Sequence, residues 1–228
     1  MAEGKLKMNE GSQASESGGG QGLTRTERRQ QRTRARLIAG VRKLTAEKGV
    51  DALTIRDIAD EADIAMGSFY SYFESKEALL GDALREIAFQ SGEIIDRINA
   101  DKDDPLEIIS TAFMTFDGIV QDDPILGWFI VRISAYNPEW TSTLYDRFLR
   151  DVSEGINQGV FAVPNVSIAI DSVTASFYSF YRARLCGEAG GDAVPDFVQL
   201  MLRLLGADDA AARQMAYRVW AAKSKENS

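Results

Sequence analysis

From about Thr26 to Ala222 the apolar residues recur three and four positions apart, and no segment alternates strictly between hairpin-forming turns. A chain patterned in this way can only bury its apolar surface helix against helix, so the expected fold class is all-α. Leu37, Ile38, Val41, Leu44 and Thr45 form one stripe of a first helix, about Thr26 to Lys48, which Gly49 stops. Thr54 is an N-cap with Asp57 three residues on, a short relative of the capping box, and Ile55, Ile58, Ala59 and Ala62 give the second helix its inner face. A break at Ala62-Asp63-Ile64 leads to a short helix, Ala65 to Tyr72. Ser75 then caps a long fourth helix from Lys76 to about Asn99, with Leu79, Leu80, Ala83, Leu84 and Ile87 pointing inward.

Asp104-Pro105, Asp123-Pro124 and Asn137-Pro138 each place a proline at the start of a further helix. Gly159 to Pro164 reads as a loop. Helices over about Val166 to Leu185, Val194 to Leu205 and Asp208 to Ala222 complete the pattern, which has no repeat of fixed period. The expected division is a disordered arm rich in Gly, Ser, Gln and Glu over 1–23, a head over 24–75, a helical body over 76–222 and a frayed end over 223–228.

The 228 residues include no histidine. That removes Ser-His-Asp and Cys-His catalysis and histidine-rich metal sites together. The chain also lacks a G-x-G-x-x-G run, a Walker A run and a calcium-loop pattern. Neither an enzyme nor a cofactor or metal site is expected. A carboxylate enzyme remains as a rival, but no spacing of acids signals its cleft. Cys186, the single cysteine, cannot form an intrachain disulfide, which is compatible with a reducing cytoplasm. No apolar run approaches the roughly 20 residues that span a bilayer, and the N-terminus has no apolar signal region. A cytoplasmic chain with no membrane partner is the expectation.

The formal charge of −8 is unevenly spread. Residues 24–48 hold nine basic side chains against Glu27 and Glu47, a local +7, whereas residues 81–228 hold 13 basic and 22 acidic ones, a local −9. A basic head on an acidic body binds phosphates through the head and turns the body away from DNA. The arginines at 25–36 read either as a solvated helix face or as a basic arm against phosphate or the minor groove.

The segment 54–80, TIRDIADEADIAMGSFYSYFESKEALL, is two short helices joined by a tight turn, the form of a helix-turn-helix whose second helix enters the major groove. Its T-x-x-x-I-A, G-x-x-Y-x-Y-F and S-K-E-x-L runs closely resemble the DNA-binding domain of TetR-type regulators, over about Ala35 to Leu84. Asp63 stands in the turn where that family often has Gly, and Ala65 stands where it often has Ser or Thr. Phe69 and Phe73, at i and i+4, should pack inward against Ile58 and Leu44.

The resemblance and the chemistry together give the expected DNA contacts. Thr54 and Arg56 reach neighbouring phosphates, and Arg34 belongs to the basic arm. Gly67 allows close backbone approach, Ser68 bonds a base edge or phosphate, and Met66 offers apolar contact to a thymine methyl. Tyr70 and Tyr72 donate to phosphates, and Lys76 with the start of the fourth helix makes an anion site. The helix offers no arginine for guanine.

The resemblance further implies a homodimer on a palindromic double-stranded operator, acting as a repressor that a small, largely apolar ligand releases. Candidate ligand residues are Phe113, Phe116, Trp128, Phe129, Arg132, Tyr136, Trp140, Phe148, Phe177 and Tyr181. The pairing surface would be Ala169, Val173, Phe177 and Phe180 with Val198, Met201, Leu202 and Leu205. Against that stands burial of the same residues by the final helix near Met215, Tyr217 and Trp220. The alternative function is a DNA-binding dimer with no small-molecule ligand, governed by a protein partner.

Overall fold

The computed structural model describes residues 24–134 and 142–226, and every regular element among them is helical. The 1–23 arm, the Asn137-Pro138 start, Tyr136 and Trp140 lie outside the described residues. The elements are α1 (Arg25–Lys48), α2 (Ile55–Glu61), α3 (Met66–Phe69), α4 (Lys76–Asn99), α5 (Pro105–Asp122), α6 (Pro124–Ser134), α7 (Ser142–Asn157), α8 (Val166–Leu185), α9 (Val194–Leu204) and α10 (Asp209–Glu226), with a short 3-10 turn at Gly191–Ala193.

Local chemistry fixes most of the helix starts. Thr24 and Glu27 form a capping box on α1, and Thr54 and Asp57 form another on α2. The Ala78 N–H donates to Ser75 Oγ at 3.1 Å to begin α4, and the Leu106 N–H donates to Asp104 Oδ1 at 2.9 Å to begin α5. Gly49, at φ 81°, ends α1 in a conformation open to glycine. Asp63, at φ 50°, is the one non-glycine residue of positive φ among the described residues. It closes α2 as a Schellman cap: Ile64 N–H donates to Ala59 O at 3.0 Å and Asp63 N–H to Asp60 O at 3.1 Å.

Two expectations are corrected here. The third helix is shorter than Ala65 to Tyr72. Ala65 supplies no side-chain cap, and after Phe69 the bonds tighten to i→i+3 turns, from Ser71 N–H to Ser68 O and from Tyr72 N–H to Phe69 O. At the other end, 223–226 is helix rather than frayed chain, and Lys223 Nζ donates to the Met114 carbonyl.

The core of the head gathers Leu37, Val41, Ile58, Phe69, Phe73 and Leu79, all buried. It runs without interruption into Phe116, Phe129, Ile133 and Tyr181 of α5, α6 and α8. A second core joins α5, α7, α8, α9 and α10. There Ala169, Val173, Val198, Met201, Leu202 and Leu205 are buried inside the protomer, in one core with Ala212, Met215 and Ala216 of α10. The pairing surface expected from these residues is thereby corrected. The final helix packs on α9 and α5, α8 packs on α5, α6 and α9, and Ile168, Leu200 and Leu204 are large apolar residues that α8 and α9 leave exposed.

Candidate functional site

Phe69 and Phe73 anchor the turn-helix segment from below, with ring centroids 6.1 Å apart and both rings buried in the head core. Anchoring them forces the intervening positions outward. Met66 is 47% exposed and Tyr70 56% exposed, and Gly67 and Ser68 are exposed beside them. A side chain at Gly67 would meet nothing within 4 Å, so the glycine keeps an open surface rather than relieving a clash inside the chain. Tyr72 is half-buried against the core. Arg56 is exposed at the start of α2.

Three residues expected to touch DNA are already engaged within the chain. Thr54 Oγ1 donates to Asp57 Oδ2 at 2.7 Å and accepts from the Asp57 N–H at 3.1 Å. Lys76 Nζ donates to Val50 O and Leu53 O, both at 3.1 Å, and so ties the α1–α2 connection to α4. Arg34 is engaged with α4 while still partly exposed. It pairs with Asp82 of α4 at 2.6 Å and lies over the Phe73 ring at 5.6 Å, because it sits on the face of α1 turned towards α4.

In the body a cavity of about 150 Å³ lies between α4, α5, α7 and α8. Phe113, Phe116, Phe148 and Phe177 line it, as expected. The other described candidates do not. Phe129 is fully buried core, and Tyr181 is buried with its hydroxyl donating to Phe113 O at 3.0 Å. Trp128 stacks with Arg132 at 5.1 Å, and Arg132 Nη1 reaches Thr45 O of α1 at 3.3 Å. Arg132 therefore belongs to the junction of body and head.

The polar wall of the cavity was not foreseen. It consists of Asp96, Arg147 and Asp151, with Tyr145, Thr174 and Tyr178 beside them. Arg147 donates through Nε to Asp96 at 2.9 Å and through Nη2 to Glu93 at 3.0 Å. Its Nη1 is buried with no partner. Gly92 makes this possible: a Cβ there would collide with the guanidinium, so α4 can hold the arginine flat against its backbone only because that position is bare. Burial pushes the Asp151 carboxyl up, partly offset by the hydrogen bond from Arg150. No sequence signal marks this wall, since Asp96 and Arg147 lie on helices that meet only in the folded chain.

Residues 37–83 match the family model described as bacterial regulatory proteins, tetR family, and residues 104–218 match the tetracyclin repressor-like C-terminal domain. The structure of RolR in complex with resorcinol superposes with a TM-score of 0.67 at 30% identity, covering 84% of this chain and 96% of that one. The repressor KstR2 of Rhodococcus jostii (strain RHA1) is 46% identical over 52 residues, 23% of this chain and 26% of that protein. KstR of the same organism is 34% identical over 100 residues, 42% of this chain and 45% of its own. The chain thus spans a quarter to under a half of these curated relatives. The fatty acid degradation regulator FadR of Bacillus halodurans shares the fold, with a TM-score of 0.64 at 18% identity, covering 74% of this chain and 97% of that one.

Proposed function

The chain belongs to the TetR family of bacterial regulatory proteins, and from that premise we propose that it is a homodimeric repressor released from its operator by a small hydroxylated aromatic compound. It is a DNA-binding transcriptional regulator and not an enzyme. The observation that carries the proposal is the continuity of α4. One 24-residue helix holds the head at Leu79 and Leu80 and presents Gly92 and Asp96 to the cavity. A ligand that displaces the cavity end of such a rod changes the setting of the head. Only a difference in ligand affinity between the two settings drives release.

The cavity selects the ligand by size and charge. About 150 Å³ is the scale of a space that holds one benzene-sized ring. Four phenylalanines supply apolar walls. Arg147, held to Asp96 and Glu93, brings its guanidinium to this wall, while Asp96 and Asp151 offer acceptors. A phenolic hydroxyl both accepts and donates, so it satisfies the two kinds together. An anionic ligand fits poorly, because Glu93, Asp96 and Asp151 outnumber Arg147 and Arg150 around this wall. Resorcinol, bound by RolR, has the required size and groups.

In the proposed dimer the heads stand one helical turn apart on DNA, about 34–36 Å, and read two half-sites of a palindrome. Met66, Gly67 and Ser68 face the bases, while Tyr70, Tyr72 and Arg56 face phosphates. On α8 and α9 the exposed Ile168, Leu200 and Leu204 are apolar residues available for pairing.

Selection of bound duplexes from a random pool tests the first half: a symmetric motif is expected, and the absence of any enriched motif would refute it. Calorimetric titration with resorcinol and with benzoate tests the second. Resorcinol is expected to bind and to release the selected operator. Preference for benzoate would overturn the assignment of a neutral hydroxylated ligand.

A further inference from the structure

Twelve residues of α1, Arg25 to Arg36, precede its first buried position, Leu37. Before Arg34 and Arg36 meet Asp82 and Asp63, the first eight of these residues make a rod of about 12 Å, at 1.5 Å per residue, that continues the helix outward. Arg25, Arg28, Arg29, Arg32 and Arg36 lie on it at i, i+3, i+4, i+7 and i+11. That spacing confines all five to an arc of about 100°. Among the described residues, Arg25, Arg28, Arg29 and Arg32 form no ion pair, and all four are exposed. The one acid on the rod, Glu27, is consumed by the Thr24 cap, whose N–H donates to it at 2.6 Å. The cap also holds the helix formed out to its first turn.

The two ends of the stripe fix its direction. At the inner end Arg36 Nη2 donates to Asp63 Oδ2 at 2.9 Å and to Asp63 O at 3.2 Å, in the turn that leads into α3. The stripe therefore begins beside the surface that carries Met66 and Ser68 and runs outward from it. Arg34, half a turn round the helix, is the one drawn back to Asp82.

We infer that this arginine stripe is a second DNA-binding element, which lies along the phosphates flanking each half-site and lengthens the operator by about three to four base pairs per side at 3.4 Å per step. The inference rests on the DNA-binding reading above. DNA is the occupant because unpaired guanidinium groups gathered on one face of a rigid rod, continuous with the reading surface, match a line of phosphates.

The test uses the full chain, the duplex selected from a random pool, and nested versions of that duplex trimmed from both ends. The variant is R25Q/R28Q/R29Q/R32Q; glutamine keeps helix propensity, and none of the four residues touches the core. Wild type is expected to lose affinity as the flanks are trimmed, and the variant is expected to be insensitive to trimming. On the long duplex the variant's dependence of log K on log salt should be shallower by about 0.9 for each phosphate that an arginine no longer neutralises.

Equal trimming curves and equal salt slopes for the two proteins would overturn the inference while leaving operator recognition intact. So would a variant that is weakened as much on the shortest duplex as on the longest, because its arginines would then act elsewhere. If wild type selects no duplex at all, the DNA-binding reading itself fails, a result distinct from either of these.

Discussion

Thr54 opens α2 at the edge of the surface assigned to DNA, and its hydroxyl is already shared with Asp57. The Asp57 carboxyl accepts from the Thr54 hydroxyl and N–H and lies 3.1 Å from Lys48 Nζ. These contacts hold it down to about 2, against an ordinary 3.8. A depressed carboxylate contributes stability that is complete above its unfolded value and is lost as pH falls through the folded one, here between about 3.8 and 2. Carbon-detected NMR titration of Asp57 is expected to give a midpoint near 2; a midpoint near 4 would mean that the capping box does not form in solution. The Thr54→Ala variant removes the cap and should destabilise the protein by about 1 kcal/mol, read from denaturant unfolding. On the exposed face, Tyr70 has no protein acceptor for its hydroxyl among the described residues, so Tyr70→Phe should weaken binding to every duplex by a similar factor. Ser68→Ala should instead change the ranking of operator variants. A Tyr70→Phe effect confined to a single base position would reassign that hydroxyl from phosphate to base.

At the scale of elements, what was legible in the sequence was what neighbouring residues decide. Thr54 with Asp57, Ser75, and Asp104 with Pro105 place helix starts through contacts two or three residues away, and Val166 to Leu185 emerges with the bounds its pattern implies. The inward Phe69 and Phe73 were legible because a four-residue step fixes a shared face. The true length of α3 was not, since it depends on a missing cap at Ala65 and on turns that close after Phe69. The faces of α8 and α9 are legible as apolar, but periodicity does not say whether a second chain covers them or, as here, α10 on α9 and α5 and α6 on α8. The cavity wall was hidden for the same reason. Its critical position, Gly92, is an ordinary small residue until α7 lays Arg147 across it. Gly92→Ala should therefore separate stability from ligand binding. Alanine favours the helix by about 1 kcal/mol, and the atom it meets is the movable end of a side chain, so the melting temperature should hardly fall. The displaced guanidinium no longer holds its place beside Asp96, and resorcinol affinity should drop by at least about tenfold, the worth of one charge-assisted hydrogen bond. Unchanged affinity in calorimetry would place the ligand away from Arg147.

In the molecule as a whole, head and body are joined twice. One junction is α4 itself; the other lies between α1 and α6. In the second, Arg132 Nη1 donates to Thr45 O at 3.3 Å and Arg42 Nη2 meets Asp123 Oδ2 at 2.9 Å. A rod pushed at one end turns its load only if the load is held at a second point. The α1–α6 junction is placed to be that fulcrum, because it grips α1 on the body side while α4 supports the head at Leu79 and Leu80. The R132M/D123N double variant removes both polar links. Asn keeps an acceptor for the Leu126 N–H, which Asp123 Oδ1 now takes at 2.9 Å, so α6 retains its start. In wild type, ligand should lower operator affinity by a factor in the range of about 5 to 150, and operator should lower ligand affinity by the same factor, since coupling between two binding sites is reciprocal. In the variant each affinity measured alone should stay within a few fold, while both coupling factors shrink together towards one. Anisotropy titrations of operator at zero and saturating resorcinol, paired with calorimetry of resorcinol on free and operator-bound protein, give all four affinities. If the double variant releases operator as fully as wild type, α4 transmits the signal unaided and the α1–α6 contacts serve only to hold the two parts together.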